Sequence, residues 1–174
     1  MDRQLTQLII IIITISCLLF SFGSYEVLNL PNNARSLALN NTTSAYDGNF
    51  LHNNPASISL RSGGMSYSYL YLPANIYLGE IHHVSKNNNG VKATKICLLN
   101  YGEFIDSETD EKYYAFDALV EMGYKRELKN IASVGISGGY LFSSVTGFNS
   151  QLLFSKIGVR SRLLRKRLGI GFSL

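Results

Sequence analysis

Three groups of side chains in this sequence are of types suited to chemistry. They are the neighbours His82 and His83, the acids Asp106, Glu108, Asp110 and Glu111, and the cations Arg160, Arg162, Arg165, Lys166 and Arg167. Spacing tests each. Adjacent histidines on a strand point to opposite faces, so His82 and His83 cannot chelate one metal. The acids lack the sixth-position glycine and twelfth-position glutamate of an EF-hand loop, and a solvated loop is expected. The basic run reads as a turn between strands whose charges stay in water, with contact to lipid phosphate or an acidic partner as the functional alternative. Serine is plentiful, but no Ser, His and Asp stand in a nucleophile context, and neither a GxSxG elbow nor a glycine-rich phosphate loop occurs. Cys17 and Cys97 are the only thiols. Cys17 lies in an apolar run expected to be removed, which leaves Cys97 a free thiol without an internal disulfide partner. Zinc is unsupported, because a closed structural site needs about four ligands at short spacing. The sequence therefore predicts no catalytic residue, no cofactor and no metal.

The elements that position these groups read as strands. From Gly64 onward, segments of about ten residues alternate and are separated by turn signals, the weak signature of a transmembrane barrel. In residues 113–124 one face carries Tyr114, Phe116, Ala118, Val120, Met122 and Tyr124, and the other Tyr113, Ala115, Asp117, Leu119, Glu121 and Gly123. The period is two, and the apolar face has tyrosine at both ends, as a lipid-facing strand between aromatic girdles would. Residues 131–142 repeat the pattern, with Ala132, Val134, Ile136, Gly138, Tyr140 and Phe142 opposite a small, polar face. Further strands are expected at 64–72, 75–84, 90–101, 150–161 and 167–174. The intervening turns include Pro73-Ala74, the asparagine run 87–89, the acidic stretch 103–111 and Leu163 to Lys166. If the first strand rises from the periplasm, the turns after 72, 101 and 143 lie outside and those after 84, 124 and 161 lie inside.

Composition fits. Charged residues make up 16% of the 174, against roughly 25% in soluble domains, so many surfaces should not face water. The net charge of +4 is too small to argue for nucleic acid. Ahead of the strands, Arg3 precedes the apolar run of residues 8–20, and Ser21, Phe22 and Gly23 follow. That order predicts a signal peptide over 1–23, because the run is shorter than the roughly 20 residues a spanning helix needs; an uncleaved anchor helix is the competing reading. Residues 24–63 are rich in Asn, Ser and Gly, with a short helix conceivable from Ala34 to Ser44. They are expected to form an N-terminal plug-like segment inside the barrel or at its mouth, and 64–174 to form the barrel strands. The fold expected is all-β, an antiparallel transmembrane β-barrel or partial barrel of about seven strands. A soluble β-sandwich alternates too, but its outer face should be rich in Lys, Glu and Thr, whereas here the non-apolar face is mostly Gly, Ser and Ala.

The stretch Asn33-Ala34-Arg35-Ser36-Leu37-Ala38-Leu39, followed by Ser44-Ala45-Tyr46-Asp47 and by Asn53-Asn54-Pro55-Ala56, resembles the N-terminal signature of the PorV/PorQ family. Asn100-Tyr101-Gly102-Glu103-Phe104, Ala115-Phe116-Asp117 and Ser133-Val134-Gly135 follow in the expected order. The resemblance covers most of residues 30 to 160. It implies a FadL-type outer-membrane barrel of about fourteen strands, even-numbered as usual in bacteria, with an N-terminal segment entering the lumen. It also implies a non-enzymatic role in type IX secretion or surface attachment, with outer-membrane lipid, secretion-system proteins and secreted cargo as partners. The residues carrying it are Ala34, Arg35, Ser36, Leu37, Ala38, Asn54, Pro55 and Ala56. Asn33 stands where the family has Gly, Ser57-Ile58 where it has Gly-Leu, and about seven strands replace the full set, so an incomplete barrel is expected. A FadL-like channel for hydrophobic small molecules and a secreted soluble β-protein are the alternatives.

Overall fold

Alternating side chains become seven strands: β1 (Gly64–Leu72), β2 (Ile76–Asn87), β3 (Gly90–Ile105), β4 (Lys112–Leu128), β5 (Ala132–Val145), β6 (Phe148–Leu163) and β7 (Leu168–Ser173). The structure is a computed structural model and describes residues 26–28, 30, 54–59, 64–105, 109–128, 132–163 and 168–174. The expected signal peptide, the conceivable helix 34–44 and motif residues Ala34 to Ala38 lie outside the described residues. Every strand pairs antiparallel with its sequence neighbour in the order β1 to β7, and the sheet curls into a half-barrel.

Tight turns let neighbours pair directly. Asn88-Asn89 joins β2 to β3 between the paired residues Asn87 and Gly90. Thr146-Gly147 joins β5 to β6, both residues at positive φ, as the strand twist favours in two-residue hairpins. β2 to β6 run longer than the sequence suggests, whereas β1 has its expected bounds and β7 is shorter. The acidic stretch loses residues 103–105 to β3, because Tyr101 and Gly102 are accommodated as a bulge and the ladder resumes at Glu103 opposite Tyr114. Gly102 takes φ 81°, and its N–H donates to Asn100 Oδ1 at 2.7 Å. β6 likewise continues to Leu163, the first residue expected in the basic turn.

The two faces of the sheet differ in an unusual sense. The concave face is buried and partly charged, while the convex face exposes Tyr67, Tyr69, Ile96, Leu98, Val120, Met122, Ile136, Leu153, Ile157 and Phe172. The expected outward faces of β4 and β5 are the ones found on this side. The apolar band runs diagonally across the paired rows. Tyr69 shares a row with Gly79, Leu98, Ala118, Phe142 and finally the polar Gln151. Phe172 shares one with Val159, Val134 and finally Arg126. Those two rows meet β4 at Ala118 and Arg126, so between β1 and β7 the band slips by about one and a third residues per strand. With about 3.3 Å per residue and about 4.8 Å between strands, the slope is roughly 40°, which is the strand tilt a closed barrel requires.

Candidate functional site

The concave face is layered. At one end Leu78, Leu99, Leu119 and Leu141 stand side by side on β2 to β5, with Cys97 beside them and Val27 packed on top. Burying each leucine contributes roughly 2 kcal/mol. The Cys97 thiol in this layer is free and buried, and the buried carboxylates Glu80 and Asp117 pair in register with Cys97 and Leu99.

In the middle layer Glu121 of β4, with no exposed surface, collects three partners. Lys95 Nζ of β3 lies 3.4 Å from Oε2, Lys156 Nζ of β6 lies 3.2 Å from Oε1, and Ser137 Oγ of β5 donates to Oε1 at 2.8 Å. Lys95 is itself buried, 1% exposed along its side chain, and Lys156 Nζ also sits 5.0 Å over the Phe154 ring. Gly139 stands in register between Glu121 and Phe154 and leaves room for the Phe154 ring, with which a β-carbon there would collide. A carboxylate removed from water is tolerated only with such multiple pairing. The cluster ties β3, β4, β5 and β6 together across the curl. His82 lies beside Lys95 in the same row and faces inward, whereas His83 faces out, the separation expected of neighbours on a strand.

The third layer seats a piece of the N-terminal region. Pro55–Ser57 form a 3-10 turn capped by Asn54, whose Oδ1 accepts from Ala56 N–H at 2.8 Å and whose Nδ2 donates to Val159 O at 3.2 Å and Phe172 O at 3.3 Å. Ser133 Oγ donates to Ala56 O at 2.8 Å and Lys125 Nζ to Ile58 O at 2.7 Å. Ile58 packs on Val84, Val91 and Ala93. The seat exists because Gly135 and Gly158 face each other in register, and a β-carbon on either would overlap Pro55 or Asn54. Proline pre-sets the turn and asparagine supplies both cap and anchor, which is why Asn-Pro-Ala suits this place.

Three motif residues, Asn54, Pro55 and Ala56, are thus brought to the concave face and fully buried. The basic run departs from its expected solvation: Arg160 points inward and is buried opposite Ser133, and Arg162 points inward at the rim, because β6 carries the strand period through both. The Lys95–Glu121–Lys156 cluster was not singled out in the sequence, although Glu121 opposing an apolar stripe was its visible trace. Among the described residues no three His, Cys, Asp or Glu side chains converge as a metal site. Comparison of the chain with family models, with curated proteins and with solved structures gives no significant match.

Proposed function

We propose that the chain spans a bacterial outer membrane as barrel strands and acts without catalysis, assisting protein secretion or surface attachment. The observation that carries the membrane part is the diagonal apolar band on the convex face, set against a buried, charged concave face. A soluble sheet has the reverse polarity, and exposed apolar patches of more than a few hundred Å² mark interaction surfaces or membrane. β3 to β6 contain 16, 17, 14 and 16 residues, more than the roughly 9–11 needed to cross a bilayer, so their ends project beyond it. The secretion part rests on the resemblance, and the burial of Asn54, Pro55 and Ala56 supports it by giving those residues a place against the strands. The seated segment and the charged cluster weigh against an apolar passage along this face.

Flotation with lipid vesicles tests the membrane part: the full chain should rise with the lipid and resist extraction by carbonate. Cooperative folding in aqueous buffer without detergent or lipid would overturn it. Co-purification from detergent extracts tests the secretion part, with secretion-system proteins or exported cargo expected and their consistent absence counting against it.

A further inference from the structure

The convex face has a dent in its apolar band. Thr94, Met122, Gly138 and Ser155 form one paired row, and the small residues at 138 and 155 leave a groove of about 500 Å³ bounded by Ile136 and Tyr124. Its lining is mainly apolar, and one end meets Lys92 of β3. Lys92 pairs across the strands with Tyr124 of β4, and Arg126 follows two residues along β4 on the same face. Side chains placed diagonally like this are about 7–8 Å apart at the backbone, so both cations reach one anion. Lys92 and Arg126 are exposed, and among the described residues neither makes an ion pair. Among the described residues the convex face carries no carboxylate beside them. The carboxylate nearest in sequence, Glu127, has the opposite strand parity and pairs with Lys125.

We infer that this groove binds one anionic membrane phospholipid, its phosphate held by Lys92 and Arg126 and an acyl chain lying over Gly138 and Ser155. Charge and shape agree: the cations sit where the diagonal band ends on β3 and β4, at headgroup level, and the groove leads from them toward the band's middle on β5 and β6. Tyr124 marks the boundary, its hydroxyl turned to Asn89 O at 2.8 Å. The inference rests on the membrane reading above and adds a preferred lipid class to it. Basic side chains at the membrane surface favour anionic headgroups over zwitterionic ones.

The chain contains no tryptophan, so Met122→Trp supplies a single tryptophan beside the groove, excited selectively over the tyrosines. The full chain carrying it is placed in phosphatidylcholine vesicles doped with an equal fraction of either phosphatidylglycerol or phosphatidylcholine bearing brominated acyl chains. Brominated phosphatidylglycerol should quench several-fold more strongly. Lys92→Gln with Arg126→Gln should bring its quenching down to the phosphatidylcholine level, and Gly138→Leu, which fills the groove and leaves both cations, should also remove the excess. Equal quenching by the two lipids overturns the lipid site while leaving the membrane reading intact, as does an excess that survives the double glutamine variant. Quenching by neither lipid refutes the membrane reading itself. Ile136→Trp is the second reporter, with the same outcomes.

Discussion

At the scale of single residues, Glu121 holds the most consequential position. Two ammonium groups and a hydroxyl converge on it at 2.8 to 3.4 Å. Removing its charge leaves Lys95 without that counter-charge in a place water does not reach. Glu121→Gln should therefore destabilise the lipid-embedded fold by roughly 3–5 kcal/mol, the usual loss when one member of a buried pair is removed. Urea unfolding in vesicles measures it, and a change under about 0.5 kcal/mol would show that the cluster does not hold the sheet. Cys97 is the opposite case. It packs with Leu78, Leu99 and Leu119. Cys97→Ser should leave membrane insertion and any secretion activity unchanged, and the wild-type thiol should resist a water-soluble maleimide until the chain unfolds. Rapid labelling of folded protein, or loss of insertion in the variant, would contradict this placement.

At the scale of elements, the pairing of β5 with β6 makes both the seat for Asn54–Ile58 and the middle of the apolar band. Gly135→Val or Gly158→Val should displace the seated turn, because the added side chain occupies the volume of Pro55 or Asn54. Limited proteolysis reads this as new cleavage near residues 54–58, while Gly147→Ala, in a turn with open space around it, should not expose the segment. Cleavage unchanged in both valine variants would mean that the turn is held elsewhere. The same strands allow a test of facing. Ile136 is 54% exposed on the convex face, and arginine there should cost roughly 2–4 kcal/mol of stability in lipid. Ser137 is an unsuitable inward control because it is buried against Glu121. Ser68, half-buried on the concave side of β1, serves instead, and Ser68→Arg should cost clearly less. Equal losses would remove the distinction between the faces. The period of two made these strands legible: β4 and β5 show unbroken apolar stripes, and all seven strands were expected near their observed places. Their ends were not legible. The Tyr101–Gly102 bulge prolongs the β3–β4 ladder past a residue that reads as a turn former, and β6 carries arginines inward under the cover of neighbours distant in sequence. The Glu121 cluster joins Glu121 to a partner 35 residues along the chain, a convergence that follows from register and curl and leaves no local mark. The seat at Gly135 and Gly158 was hidden for the same reason.

At the scale of the whole molecule, the polarity of the sheet and its diagonal band make one statement about solvent. On the proposed membrane reading, lipid contacts the convex face along a level belt, and the strands tilt by roughly 40° to make the diagonal level. Among the described residues neither β1 nor β7 has a second neighbouring strand, and a bilayer does not tolerate bare sheet edges. In the membrane those edges therefore require further strands or another polypeptide beside them. The belt itself is measurable residue by residue. Nitroxide labels placed singly at Tyr69, Leu98, Val120, Ile136, Ile157 and Ile170, in a Cys97→Ser background, fall on four paired rows, with Tyr69 and Leu98 sharing one and Ile136 and Ile157 another, and follow one diagonal. In vesicles all six should collide mainly with oxygen and lie at similar depths, whereas labels at Gln151 and Arg126 should collide mainly with a water-soluble nickel complex, although they share rows with Tyr69 and Phe172. Water-dominated collisions at the six positions, or an accessibility that follows the paired rows and not the diagonal, would contradict the account.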